Sequence, residues 1–273
     1  MQGLSVICDL GAAVLLVLAA VRGAKGQALH AIVPPLAWGL GFAALAAVLA
    51  AQPSFGNLLL VVLALGVGGT LGAAAAIGVS VARIPLVLTG FLVLYGLVAL
   101  LLSFAATDTG AVLWHARMGP GEIERRGAAM IAAITGSLVL GGGGVLFLQR
   151  LRSVRLSSLW LAYAQVVLAA VSVLTGSVFL MTNALPAFWQ SAAAALLTGV
   201  FVVLPLDENA RWPLSVLLTA LCGFATAAIG FALASLLLIL AGGLVGASMV
   251  AVFSGLCREG GRRPFRLLFG KRR

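Results

Sequence analysis

A chain of 273 residues that is 62% hydrophobic and 9% charged, with a mean hydropathy of +1.18, cannot clothe a water-soluble globule, whose composition runs to about 25% charged residues. Seventeen Lys and Arg against seven Asp and Glu give a net charge of +10, which in so apolar a chain reads as positive-inside topology and not as nucleic-acid binding. The three cysteines, Cys8, Cys222 and Cys257, are widely spaced, odd in number and set in or at the ends of apolar runs, which excludes a disulfide framework or a cysteine metal site.

Apolar runs divided by short polar breaks predict nine helices, over residues 4–21, 28–51, 56–81, 84–104, 127–148, 157–181, 188–204, 213–231 and 236–257. The first run lacks a basic leader and is read as a span, not as a cleaved signal peptide. Residues 84–104 (IPLVLTGFLVLYGLVALLLSF) are the clearest case, with 21 residues and no Asp, Glu, Lys, Arg or His. At helical rise they cover roughly 31 Å, matching the ~30 Å hydrocarbon layer. Pro85 falls in the first turn, where its missing N–H costs little. Residues 105–126 form the longest connection, with Trp114 suited to headgroup level, and 149–155 (QRLRSVR) form a basic loop. Only residues 232–235 separate the last two runs, and their composition makes a poor turn.

Charge argues for keeping both of those runs. With nine spans and the N-terminus outside, the inside segments hold fourteen basic residues: Arg22, Lys25, Arg83, Arg150, Arg152, Arg155, Arg211, Arg258, Arg262, Arg263, Arg266, Lys271, Arg272 and Arg273. The outside segments hold Arg117, Arg125 and Arg126, whereas eight spans would put the basic tail on the wrong side. The expectation is an all-α polytopic membrane protein of about nine transmembrane helices, N-terminus outside and C-terminus cytoplasmic, in a bacterial cytoplasmic (inner) membrane. Residues 1–257 are read as the helical bundle and 258–273 (REGGRRPFRLLFGKRR) as a basic cytoplasmic tail. The tail fits a topology anchor against anionic lipid, with docking of a soluble partner as the alternative.

Candidate sites are sparse. No helix interior holds a charged residue; Asp9 comes nearest, a turn or two inside the first helix and close enough to its end for the outer interface to solvate it, with a proton-handling role as the alternative. Gln165 is the other conspicuous polar group and is expected to bond a neighbouring helix. His30 and His115 lie at membrane edges without a second ligand at metal spacing. The run 39–44 (GLGFAA) fits a dinucleotide pattern in letters only, since it lies in a span, follows no strand and has no acidic residue about 20 positions on. Gly68 with Gly72, Gly136, and Gly242 with Gly246 are helix-packing candidates. The four glycines at 141–144 mark either a hinge or a very close contact. No residue is assigned a catalytic, cofactor-binding or metal role.

Two stretches resemble the membrane domain of the β subunit of proton-translocating NAD(P) transhydrogenase. In residues 68–104 a Gly-rich helix leads into Ile84-Pro85 and a helix with Gly96-Leu97 at its middle. Residues 211–265 have a Trp-Pro start, Cys222-Gly223-Phe224, Gly230-Phe231, the run 242–248 (GGLVGAS) and a basic end; Thr135-Gly136-Ser137 also fits. The order and spacing of nine helices extend the likeness over most of the chain. The resemblance places Leu92 where the family has a His thought to take part in proton transfer, and Leu86 where it has an acidic residue. It places Arg211-Trp212-Pro213 where an Asp precedes the Pro, Thr219 or Ala220 at an Asn of the proton path, and Ser235-Leu236 at an Asn-Asp pair. The family's β subunit continues into a soluble NADP(H)-binding domain, and the present sequence ends at Arg273.

Leu can neither bind nor release a proton, and Thr and Ser can at most order water. The resemblance with these departures implies a transhydrogenase β-subunit-like membrane domain acting as a scaffold or accessory subunit without independent proton pumping. One alternative is the proton-channel subunit of a transhydrogenase working with separate nucleotide-binding subunits. A second is an unrelated small-molecule transporter, for which matched halves with broken helices are the expected sign. No cofactor is expected on this chain; NAD(H) and NADP(H) would enter only through partner subunits. The expected partners are membrane lipid, other membrane or soluble subunits, or a second copy, and no nucleic acid.

Overall fold

The computed structural model describes residues 2–26, 28–51, 55–80, 83–108, 121–151, 159–206 and 208–259. The expected headgroup contact of Trp114, the loop arginines Arg152 and Arg155, and the tail from residue 260 on lie outside them. Among the described residues there are nine α-helices and no strand: α1 (Gln2–Ala24), α2 (Leu29–Ala51), α3 (Phe55–Gly78), α4 (Ile84–Asp108), α5 (Glu122–Leu151), α6 (Leu159–Thr182), α7 (Leu185–Val203), α8 (Glu208–Ala232) and α9 (Leu236–Glu259). Seven of them, α1 and α4 to α9, are long and apolar enough to cross a bilayer. α2 and α3 carry shorter apolar stretches, His30–Ala46 and Leu58–Ala74, which at helical rise reach about 25 Å, short of the ~30 Å layer. Length and apolarity thus identify seven spans among the described residues, against the nine expected.

The helices are longer than the apolar runs where charge begins. α5 starts at Glu122, because Glu122 and Glu124 suit the positive N-terminal end of a helix and Glu122 pairs with Arg126 one turn on. α8 likewise starts at Glu208 and runs through Arg211 and Trp212, with Pro213 inside the helix.

The chain divides into two units, Met1–Pro85 and Leu86–Arg273. In the first, α1 and α2 are antiparallel neighbours. Gly39 makes room for Leu16, whose Cγ would lie 3.0 Å from an added Cβ, and Arg22 donates Nη1 to the Ala31 carbonyl oxygen at 2.9 Å. Ala12, Ala13, Ala19 and Ala46 are buried. α3 is exposed from 59 to 74.

In the second unit α5 is the central helix. Its Gly136 faces Ala99 of α4, Met130 and Ile134 face Gly176 of α6, Gly141 faces Leu196 of α7, and Gly142 faces Leu218 of α8. Residues 141–144 continue the α5 helix without a break, so the glycine run serves close contact. Towards the other end, Phe104, Phe179, Phe188 and Trp189 join α4, α6 and α7 through ring pairs with centroids 5.1–5.8 Å apart.

The short α8–α9 connection works because two motifs overlap in it. Ser235 N–H donates to the Gly230 carbonyl oxygen (2.8 Å) and Ala234 N–H to that of Phe231 (3.2 Å), with Ala234 at φ 53°. This is the left-handed close of a Schellman motif, on a residue with a Cβ. Ser235 then starts α9, its carbonyl accepting from Ile239 N–H (3.2 Å) and its Oγ from Leu238 N–H (3.5 Å). Ala234→Gly is expected to stabilise the protein by about 0.5–1 kcal/mol by removing a Cβ from left-handed backbone, measured as an upward shift of the unfolding midpoint in detergent micelles.

Candidate functional site

Within the second unit α4, α5 and α8 meet at one junction. Glycine brings α4 and α5 together: a Cβ added at Gly96 would lie 2.6 Å from the Leu140 nitrogen and 2.7 Å from the Gly136 oxygen. One added at Gly136 would lie 2.9 Å from the Ala99 Cβ. Ala99, Ala132, Ala225 and Ile229 then close the three helices into one buried cluster. Small side chains allow close van der Waals contact, the main attractive term where lipid tails are as apolar as the side chains.

The next layer is larger and equally apolar. Leu92 and Tyr95 of α4 pack against a buried cluster of Val139, Val145 and Leu146 from α5, Val203 from α7, and Leu214, Leu218 and Cys222 from α8. Tyr95 donates its hydroxyl across to α8, to the Cys222 carbonyl oxygen at 3.0 Å, and is hydrogen-bonded to Thr226 Oγ1. Thr226 Oγ1 lies 2.9 Å from the Cys222 carbonyl oxygen on its own helix, so the two hydroxyl protons are shared between that carbonyl and the Tyr95–Thr226 contact. The hydroxyls of this layer are therefore used to satisfy each other and one helix carbonyl. None of the residues named in these two layers is a carboxylate, imidazole or amine. The arrangement holds three helices in register and offers no group suited to passing protons near neutral pH.

A family model described as NAD(P) transhydrogenase beta subunit matches residues 7–272. The chain belongs to that family. No curated protein matches it. The match spans nearly the whole chain, and together with the apolar helices it makes this an integral membrane protein of transhydrogenase beta-subunit type.

In this transhydrogenase beta-subunit-type chain the polar and glycine candidates fall in separate places. Gly136 belongs to the α4–α5 contact. Gly242 and Gly246 face α8, where added Cβ atoms would meet the Gly223 oxygen at 2.6 Å and the Phe224 ring at 2.8 Å. Gly68 and Gly72 have nothing within 4 Å of an added Cβ. The close-packed face expected there is not formed among the described residues, because no neighbouring helix of the first unit reaches it. Gln165 is buried on α6 and donates to the Phe201 carbonyl oxygen of α7. Thr219 turns inward on its own helix, donating to the Ser215 carbonyl oxygen at 2.9 Å. Ser235 caps α9, and Asp9 is half-buried on α1. Among the described residues no three His, Cys, Asp or Glu are placed to hold a metal ion.

Three polar contacts escaped sequence reasoning. Gln149, assigned to the basic loop, lies inside α5 at 4% exposure and donates Nε2 to the Leu204 carbonyl oxygen (3.3 Å) and, at the limit, to that of Val203 (3.5 Å). With Gln165 it bonds carbonyls at the C-terminal end of α7, where helical donors run out, and that of Val203 also accepts from Leu206 N–H at 3.1 Å. Ser172 and Ser191 exchange hydroxyl donors with each other's carbonyl oxygens, at 3.1 and 2.7 Å, between α6 and α7. The Tyr95–Thr226 contact has a signal in hindsight, since a phenol inside a lipid-length run needs a partner. Tyr95→Phe is expected to cost about 0.5–1.5 kcal/mol. A double-mutant cycle with Thr226→Val, read by unfolding in mixed micelles, is expected to give a coupling of similar size.

Proposed function

We propose that this chain is a transhydrogenase beta-subunit-like membrane domain that keeps the family's helical packing as a scaffold or accessory subunit and has lost independent proton pumping. The single observation that carries the reading is Leu92, set where the family resemblance calls for a proton-transfer His and packed against the buried cluster that contains Val139, Leu146, Leu214 and Leu218. A relay also needs mobile polar groups, and two in the same layer, Tyr95 and Thr226, are bonded to each other and to a helix carbonyl. The family's description as a beta subunit supports other subunits as partners. Any NAD(H) or NADP(H) would be held by those partners and not by this chain.

The reading includes nine membrane crossings in the cytoplasmic membrane, with the N-terminus outside and the C-terminus in the cytoplasm. α2 and α3, at 23 and 24 residues, are long enough at helical rise to cross as whole helices, and the fourteen-to-three bias of basic residues supports that orientation. Purification of the tagged full chain from its native membranes in mild detergent tests the proposal. A stoichiometric membrane complex without transhydrogenase activity is the expected result. Co-purification of nucleotide-binding subunits with proton-coupled hydride transfer between NADH and NADP would overturn it in favour of a working channel subunit.

A further inference from the structure

Of the seven acidic residues in the chain, those described in helices other than α1 lie in first turns or at the last residue: Glu122 and Glu124, Glu208, Asp108 and Glu259. Asp9 does not. It is the eighth residue of α1, and it falls inside the apolar span Val6–Gly23. The basic end of the same helix supplies a depth marker. Arg22 is held by its hydrogen bond to the Ala31 carbonyl oxygen, with Lys25 just beyond, and such residues mark the hydrocarbon edge. Thirteen residues separate Arg22 from Asp9, or roughly 20 Å at helical rise, within a layer ~30 Å thick. Asp9 thus lies about 10 Å short of the opposite edge by the same measure, deeper than the interface-solvated position expected from the sequence.

The described side chains at its level are apolar. The α1–α2 register pairs Leu16 with Gly39 and Gly23 with Ile32, which sets Asp9 level with Ala46. Cys8, Ala12, Ala13 and Ala46 are buried around that level. Beyond His30, which lies near the Arg22 end, neither α2 nor α3 carries an acidic or basic residue. No cation of the helices packed in this unit is therefore level with the carboxyl group, and no hydrogen-bond donor to it is found among the described residues. A bare carboxylate at that depth is costly, whereas a carboxyl group carrying its proton is neutral.

We infer that Asp9 is a proton-binding site set in the hydrocarbon layer and carried by the first unit, not by the α4–α5–α8 junction. The inference rests on α1 spanning the membrane and is independent of whether the chain acts as a scaffold. Two carbodiimides of opposite solubility test it, applied to the full chain in its native membranes at neutral pH and read by peptide mass spectrometry. The hydrophobic dicyclohexylcarbodiimide adds a protonated carboxyl group across one N=C bond, the proton passing to nitrogen, and rearranges to a stable N-acylurea. The expected result is such an adduct on Asp9, absent in Asp9→Asn. A water-soluble carbodiimide with a charged amine is expected to modify the exposed Glu122, Glu124 and Glu259 and to spare Asp9. Modification of Asp9 by the water-soluble reagent would place it in water, and no adduct from the hydrophobic reagent would mean an ion-paired or inaccessible group; either result overturns the inference.

Discussion

Gly141→Ala is expected to destabilise the protein by about 1–3 kcal/mol, and Gly141→Val to prevent a stable fold. The added Cβ would fall on the Leu196 carbonyl oxygen of α7, and the facing Gly199 is placed in the same way against the Leu138 carbonyl oxygen of α5. Backbone cannot swing aside as a side-chain tip can, so the two helices must separate along the crossing, and every contact they share is weakened. The neighbouring glycines make an internal control. At Gly142 an added Cβ meets Val203 Cγ2 at 3.2 Å and at Gly143 it meets Val93 at 3.4 Å, while at Gly144 nothing lies within 4 Å. Alanine at 144 is therefore expected to be neutral or to stabilise by up to ~1 kcal/mol, since alanine favours a helix over glycine by about that much. The expected order of damage is 141, then 142 and 143, then 144, measured by equilibrium unfolding in mixed micelles. Equal effects at 141 and 144 would contradict the α5–α7 crossing.

Leu92→His is expected to cost about 1–3 kcal/mol, because the imidazole enters a layer of Val, Leu and Cys side chains with no partner assigned to it. Leu92→Met keeps volume and polarity and is expected to change stability by less than about 1.5 kcal/mol. No proton conductance is expected in proteoliposomes carrying Leu92→His, since a single titratable group without a hydrated approach is not a path. A variant as stable as the parent and conducting protons would show that the layer is wet, and would remove the main support for the scaffold reading.

The helices were largely legible in the sequence because the physics that sets them is local. A span must satisfy its backbone internally and run long enough to cross hydrocarbon, so apolar length alone reveals α1 and α4 to α9. The ends were less legible. The first residues of α5 and α8 are charged and lie beyond the apolar runs, where hydropathy carries no helical signal. The α8–α9 turn was obscured for a different reason: its left-handed residue is Ala234, and neither Gly nor Asn marks it. The family was legible in the order of glycine, proline and aromatic residues, and the match over residues 7–272 agrees with that colinearity.

The candidate junction was legible only in part. Sequence alone settled that the chain is helical and membrane-embedded, that it has the beta-subunit arrangement, and that Leu stands at 92. It treated Gly68-x-x-x-Gly72 and Gly242-x-x-x-Gly246 as equals. The tertiary structure separated them, placing the second pair against Gly223, Phe224 and Ala227 and leaving the first facing open space. It also turned the glycines at 141–144 from a choice between hinge and contact into a contact, and it gave the Tyr95 hydroxyl its partners on α8. Small-residue spacing specifies that a helix face can be approached closely, and a hydroxyl specifies that a partner is needed. Neither specifies which helix arrives, because that choice depends on residues of other helices, as far as 131 positions away for Tyr95 and Thr226.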